Sequence, residues 1–303
     1  MKKILTKGKI EKIINRTSKK FTINEIKINE YNFIDLQKFL ANQIFLDNKK
    51  IDILLKFNSK NEYPIGYIMK DFKNNIIGFM GTIFYEKFIN KKKFIHCNIH
   101  SWVVNKQYRL NSFFLITPLL KDNISLTAFT PIKSLQGLLE KFGLKKKSLN
   151  YKIIVNTNLI NFFNKKFLLV TDKGIILKYL NNKDINKFQE YADSIFYKFI
   201  ILNTDNNKYI FIIASKIKKK FINFFNFIYI SDREKFKENW DNIKSSISIK
   251  FNTIFFLEYY FSNNDSFFPT NILFCKIIKK TIFSRTAVNL DKYDISNSDL
   301  IIS

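Results

Sequence analysis

From residue 25 onward the chain switches repeatedly between two hydrophobic rhythms. EIKINEYNFIDLQKFLANQIF opens as a short strand, then sets Phe33, Ile34, Leu36, Phe39 and Leu40 at roughly helical spacing. Three strand-like runs follow, Ile65 to Met69, Ile76 to Tyr85 and Phe94 to Val104, separated only by Asp71-Phe72-Lys73-Asn74-Asn75 and Asn90-Lys91-Lys92-Lys93. Such short polar breaks predict an antiparallel meander. Gln107 to Leu120 places Phe113, Leu115, Ile116, Leu119 and Leu120 after a polar opening, which predicts a helix beginning near Asn111 and Ser112, and Ser125 to Phe129 reads as a brief buried strand. Thr130-Pro131 suits a helix start, with Thr as cap and Pro at the first helical position. Leu135, Leu138, Leu139 and Phe142 then share a face, and Gly143 ends the helix.

The pattern repeats. Lys91-Lys92-Lys93-Phe94 to Trp102-Val103 lines up with Lys218-Lys219-Lys220-Phe221 to Tyr229-Ile230 at a constant offset of 127 residues. Each Lys turn is preceded by an Asn-Asn turn and a strand (Asn74-Asn75 then Ile76 to Phe84; Asn206-Asn207 then Lys208 to Ser215). Each is followed by a helical pattern, the second spanning Arg233 to Ile247. The expected architecture is therefore α/β of the α+β kind, in two similar halves, each a mixed, mostly antiparallel central sheet flanked by helices. The expected boundaries are a basic tail or short helix over 1–21, a first domain over 22–150 and a second over 151–303.

Composition adds limits. A 46% hydrophobic content with 34 Phe, 7 Gly and 4 Pro describes a chain able to fill substantial cores. Runs such as Phe224 to Ile230 and Thr253 to Leu257 are shorter than the ~20 residues of a bilayer span and suit buried strands. MKKILTKGKIEKIINRTSKK lacks the apolar core and cleavage site of a signal peptide. With Cys97 and Cys275 far apart and without metal-type spacing, the expectation is a cytoplasmic protein with free thiols. The 51 Lys+Arg against 25 Asp+Glu, a formal +26, would attract phosphates, nucleic acids, acidic carrier proteins or anionic surfaces. Asn, Ile, Lys and Phe are heavily used throughout, so the clusters Lys145-Lys146-Lys147 and Lys216 to Lys220 read as solvated faces before they read as nucleic-acid contacts.

Candidate chemistry concentrates on FIHCNIHSWVV. Its alternation puts Phe94, His96, Asn98, His100 and Trp102 on one face, so both histidines of the chain point the same way. At i and i+4 on a strand they are too far apart to chelate one metal, and no metal site is expected. A pocket-facing His can act as general base near neutral pH, against the alternative of a satisfied structural His. Other acids, among them Glu62, Asp71, Glu86, Glu258 and Asp265, show no paired spacing, and there is no Walker loop, dinucleotide glycine motif or GxSxG.

Trp102-Val103-Val104-Asn105-Lys106-Gln107-Tyr108-Arg109 resembles the strand and approach to the pyrophosphate turn of the GNAT acyltransferase superfamily. Leu139-Glu140-Lys141-Phe142-Gly143-Leu144 is similar to its Tyr-Glu-Lys-x-Gly-Phe ending. The resemblance spans about residues 22–150 and implies a tandem arrangement with a second, degenerate GNAT-like half. It departs at Ser112 and Phe114, where the family has Gly and Gly or Ala, and at Leu139, where many members have the Tyr that protonates the leaving thiolate. What it implies is an N-acyltransferase using acetyl-CoA or another acyl-CoA on an amine of a small metabolite or nucleotide-activated sugar. Trp102, Val103 and Val104 would hold the pantetheine, and Arg109, Leu110, Asn111, Ser112 and Phe113 the pyrophosphate. His100 would be the base, with His96 as second choice. The alternatives are a noncatalytic scaffold binding nucleic acid or an acidic partner, and a transferase drawing on aminoacyl-tRNA or an acyl carrier protein.

Overall fold

A computed structural model describes residues 21–27, 33–43, 62–89, 92–120, 124–129, 131–156, 166–191, 196–219, 222–260, 266–268 and 275–286. The basic tail over 1–20 and the turn residues Asn90, Lys91, Thr130, Lys220 and Phe221 lie outside them. The chain divides into two compact units, one reaching Ser148 and including the chain again from Thr281, the other running from Leu149 to Lys280.

In the first unit the strands are β1 (Phe21–Ile26), β2 (Gly66–Asp71), β3 (Ile76–Ile89), β4 (Lys92–Val104) and β5 (Ile124–Ala128). The first four form an antiparallel meander, whereas β5 runs parallel to β4. The β2–β3 turn is fixed by Asp71, whose Oδ1 accepts from the Lys73 and Asn75 amides, both at 2.9 Å, with Asn74 at φ 66°. The strand expected from Glu25 thus lies earlier, over 21–26. Helix α1 (Phe33–Gln43) buries Leu36 and Leu40, one turn apart, against Ile26, Ile65, Ile68 and Phe79. On the opposite face, α2 (Lys133–Lys141) sets Leu139 and the following Phe142 into a cluster with Cys97, Ile99 and Leu126. Its cap is Ile132 rather than Thr130, and Gly143, at φ 83°, turns the chain out of it. The unit takes its last strand from the end of the chain: Phe283–Arg285 of β12 (Cys275–Arg285) pair antiparallel with Leu126–Ala128.

The second unit comprises β6 (Lys145–Val155), β7 (Phe167–Val170), β8 (Tyr197–Asn203), β9 (Tyr209–Lys219), β10 (Ile222–Ile230) and β11 (Phe255–Tyr260). Its strand order is β6-β11-β10-β9-β8-β7, antiparallel except for the parallel β10–β11 pair. Helices α3 (Lys173–Tyr179) and α4 (Asn182–Glu190) precede the meander, and α5 (Arg233–Glu238) and α6 (Trp240–Phe251) follow β10. The single helix expected over 233–247 is broken at Asn239, whose amide donates back to the Lys235 carbonyl at 2.8 Å. Trp240, Ile243, Ile247 and Phe251 recur at helical spacing and pack on Phe225, Phe227 and Phe256. Among the described residues no helix is long and apolar enough to cross a membrane.

Candidate functional site

Strand β4 is regular until His100, which pairs with Gly81. It then bulges, because Val103 rather than Trp102 pairs with Phe79. The extra residue is accommodated by Ser101 at φ 44°, a left-handed conformation uncommon for a residue with a side chain. The bulge reverses the alternation. His96, Asn98 and His100 keep one face, as expected, but Trp102 packs with Cys97 and Ile99 on the other, and Val103 packs with Phe79. The expectation that Trp102 shares the histidine face is thereby corrected.

The parallel ladder to β5 ends at Asn98–Thr127, two residues before His100. On the β3 side the ladder carries on past the bulge, with the Asn105 amide bonded to the Ile77 carbonyl at 2.8 Å. Beyond Asn98, then, β4 stays attached to β3 while its edge toward β5 is released from the ladder. Asn98 closes the paired part by accepting a hydrogen bond from the Thr127 hydroxyl.

His100 is 6% exposed, and burial lowers its pKa from 6.5 to about 4, so the imidazole is neutral at pH 7. Its Nδ1 lies 3.1 Å from Ser101 Oγ, while Nε2 is buried without a hydrogen-bond partner among the described residues. When Nδ1 carries the proton and donates to Ser101, Nε2 is a bare acceptor. His96 sits opposite Ser125, where β4 and β5 are still laddered, and its ring stacks on Tyr85 at 5.1 Å. The two histidines are four positions apart on the strand, roughly 13 Å of chain, so they do not converge on one reacting atom.

The segment after β4 corrects the sequence reading. Lys106–Leu115 and Thr117–Leu119 wind as 3-10 helices, capped at Asn105, and no α-helix starts at Asn111 or Ser112. Phe113, Ile116 and Leu119 recur every third residue, linked by Ile116–Phe113 and Leu119–Ile116 bonds of 3.3 and 2.9 Å. Pro118 has no amide to give the Phe114 carbonyl, and the Thr117 hydroxyl takes it instead at 2.8 Å. Lys106, Gln107, Arg109 and Leu110 are exposed at the beginning of this winding, Val104 is buried, and Asn111, Ser112 and Phe113 are half-buried within it.

Two carboxylates stand out in the second unit that the sequence did not single out as sites. Asp184, 1% exposed, accepts from the Tyr209 and Tyr229 hydroxyls at 2.8 and 2.7 Å. Glu258, fully buried, accepts from Ser266 Oγ at 2.6 Å and from the Phe267 amide. Both are tied into the core, and for Asp184 sequence spacing had no means of showing partners 25 and 45 residues away. A strand signal for His100 was available: three of the seven glycines, Gly66, Gly78 and Gly81, fall in β2 and β3, where interior glycine marks a close approach.

No family model matches the sequence, and no curated protein sequence matches it. Solved structures match in shape. A GCN5-related N-acetyltransferase from Anabaena variabilis superposes with a TM-score of 0.55 at 12% identity, over 88% of this chain and 72% of that one. One from Kribbella flavida gives 0.56 at 10% identity, over 88% and 71%. A GCN5-related glucosamine N-acetyltransferase region of a fungal multi-domain β-N-acetylglucosaminidase gives 0.56 at 12% identity, over 88% of this chain and 38% of that one. With its bulged central strand released from a parallel neighbour, this chain has the fold of the GCN5-related N-acetyltransferases.

Proposed function

We propose that the chain is an N-acyltransferase whose first unit takes an acyl-CoA, acetyl-CoA in the simplest case, and acylates the amine of a small metabolite or nucleotide-activated sugar. The observation that carries this reading is that the β4–β5 ladder ends at Asn98–Thr127 just before the bulge at Ser101. A released strand edge offers amides and carbonyls to an extended chain, and pantetheine, with its two amides, can lie along it as an added strand would. Trp102, Val103 and Val104 supply that edge. The diphosphate then meets the exposed Lys106, Gln107 and Arg109, with Leu110 to Phe113 completing the turn.

In the reaction the amine nitrogen attacks the thioester carbonyl, the carbon–sulfur bond breaks, and CoA leaves as thiolate. The proton lost by the amine goes to His100 Nε2 or to water. A neutral imidazole is in the state to accept it, although a conjugate acid of pKa about 4 makes it a weak base. Leu139, 1% exposed, offers no proton to the thiolate, which is left to take one from solvent. His96 is a poorer candidate because the strands around it remain closed.

The second unit, in this reading, is a degenerate copy. Its β10 bulges between Phe227 and Tyr229, and its parallel ladder stops at Asn226–Leu257, within one residue of the corresponding place. The turn after it, Ser231-Asp232-Arg233, spends Asp232 on capping the Lys235 amide at 3.0 Å and puts a carboxylate where an anion would bind. Both cysteines are free, which suits the reducing cytoplasm in which acyl-CoA is used.

Calorimetry of the full chain with acetyl-CoA tests the reading. Saturable binding, with His100→Ala lowering turnover far more than affinity, is the expected result. No binding at millimolar ligand to folded protein would sink it, and binding without transfer to any amine would identify a noncatalytic scaffold.

A further inference from the structure

In the second unit the turn after β10 meets the start of α4 and the start of β9 around a cavity of about 450 Å³. The chain is 46% hydrophobic, yet among the described residues that line this cavity none is aliphatic and only Tyr209 is aromatic. A ligand held there is held by polar contacts. At its floor lies Asp184, 1% exposed.

Asp184 is fixed on every side. Its Oδ1 accepts from the Tyr229 hydroxyl at 2.7 Å and its Oδ2 from the Tyr209 hydroxyl at 2.8 Å, while its amide donates to Asn181 Oδ1 at 3.0 Å. The Tyr209 oxygen in turn accepts from the Asn181 amide at 3.0 Å. Both hydroxyls are neutral, so they orient the carboxylate without neutralising it. Each carboxylate oxygen keeps a second lone pair, and a hydroxyl that has spent its proton on Asp184 has none to give a ligand. The floor therefore presents acceptors and a negative charge, which a protonated amine answers best.

The rim carries the opposite chemistry. Lys183 and Lys208 are exposed there, and Lys235 is engaged by Asp232 at 2.6 Å. A lone cation would have to pass the lysines, and a lone anion would face the carboxylate at the floor. A ligand suited to both carries an ammonium and a carboxylate on one small body. We propose that the cavity binds a free amino acid with a polar side chain, its ammonium on Asp184 and its carboxylate toward Lys183 and Lys208. The volume falls in the range of small-molecule sites, and a lining without aliphatic groups gives nothing to a leucine-like side chain. The site stands independently of acyl transfer in the first unit.

The test is thermal melting of the full chain with each common L-amino acid at millimolar concentration, followed by calorimetry of those that raise the melting temperature. At least one polar amino acid is expected to bind, one per chain, and to bind at least tenfold more tightly than either its decarboxylated amine or its deaminated acid. Asp184→Asn, which keeps the shape and gives up the charge, should weaken it at least tenfold. Lys183→Gln/Lys208→Gln, made at two exposed positions, should weaken it at least threefold, with acetyl-CoA binding unchanged in both variants. If Asp184→Asn does not fold, the lysine variant and the two analogues decide alone. The proposal is overturned if no amino acid stabilises the protein, if aliphatic ones alone do so, or if either analogue binds as tightly as the amino acid. Binding that survives both variants would also overturn it, and would place the amino acid elsewhere, such as an acceptor amine beside His100.

Discussion

The imidazole of His100 stands so close to Gly81, its register partner on β3, that a β-carbon added at 81 would clash with the ring's Cε1, Nδ1 and Nε2. The candidate base is therefore seated by the absence of a side chain on the neighbouring strand, and it leans toward β3.

Gly81→Ala follows from that contact. The ring must rotate away or the strands must part, and overpacking of this kind costs about 1–3 kcal/mol. The expected outcome is a lower melting temperature together with a loss of turnover much larger than any change in acetyl-CoA affinity. A Gly81→Ala enzyme with unchanged kcat would show that the seat of His100 is irrelevant to catalysis.

The same burial predicts a pH dependence of stability. His100 titrates at about 4 when folded and near 6.5 when exposed, so between those values the unfolded chain binds a proton that the folded chain refuses. Stability is full above pH 6.5 and falls as the pH drops toward 4, by up to about 3 kcal/mol for the gap between the two values. His100→Gln removes this contribution. Urea melts of wild type and variant at pH 7.5 and pH 4.5 should therefore differ most in slope against pH, the wild type losing more.

Much of the first unit was legible because the meander announces itself: alternation, short Asn-rich turns and a Gly after the second helix map onto β2, β3, β4 and Gly143 with shifts of a few residues. The failures have local causes. Strict alternation carried Trp102 to the histidine face because a bulge adds a residue without any composition of its own; Ser101 is not a residue that marks a left-handed turn. The helix expected at Asn111 became a 3-10 winding because three-residue and 3.6-residue spacing look alike over so short a run, and Pro118 decided between them.

Arg109 is exposed, at the start of a 3-10 winding rather than at the positive end of an α-helix. Its contribution to diphosphate binding is then an exposed, screened charge pair worth about 1 kcal/mol, roughly fivefold in affinity. Arg109→Ala should raise the dissociation constant for acetyl-CoA by that factor at low salt, and less as salt increases. Acetyl-pantetheine, which lacks the diphosphate, should bind wild type and variant alike. An equal loss for both ligands would move Arg109 from phosphate contact to support of the fold.

The two central strands differ at the last residue of their parallel ladders. In the first unit Asn98 accepts from Thr127; in the second, Asn226 faces Leu257, and both polar atoms of its side chain are buried without a hydrogen-bond partner among the described residues. Its other neighbour, Ser215, has a buried hydroxyl in the same condition. A buried polar group left unbonded costs about 1–3 kcal/mol, whereas an apolar group of similar size at the same place does not incur that penalty. Asn226→Leu is therefore expected to stabilise the protein by about 1–2 kcal/mol in urea denaturation. Leu257→Thr, which would restore the pairing seen at Asn98–Thr127, should be less harmful in the Asn226 background than in Asn226→Leu, with a coupling of about 1 kcal/mol. Destabilisation by Asn226→Leu would instead mean that the amide is hydrogen-bonded in solution. The second ladder end would then be a place where something polar binds, and the second unit would be more than a structural copy of the first.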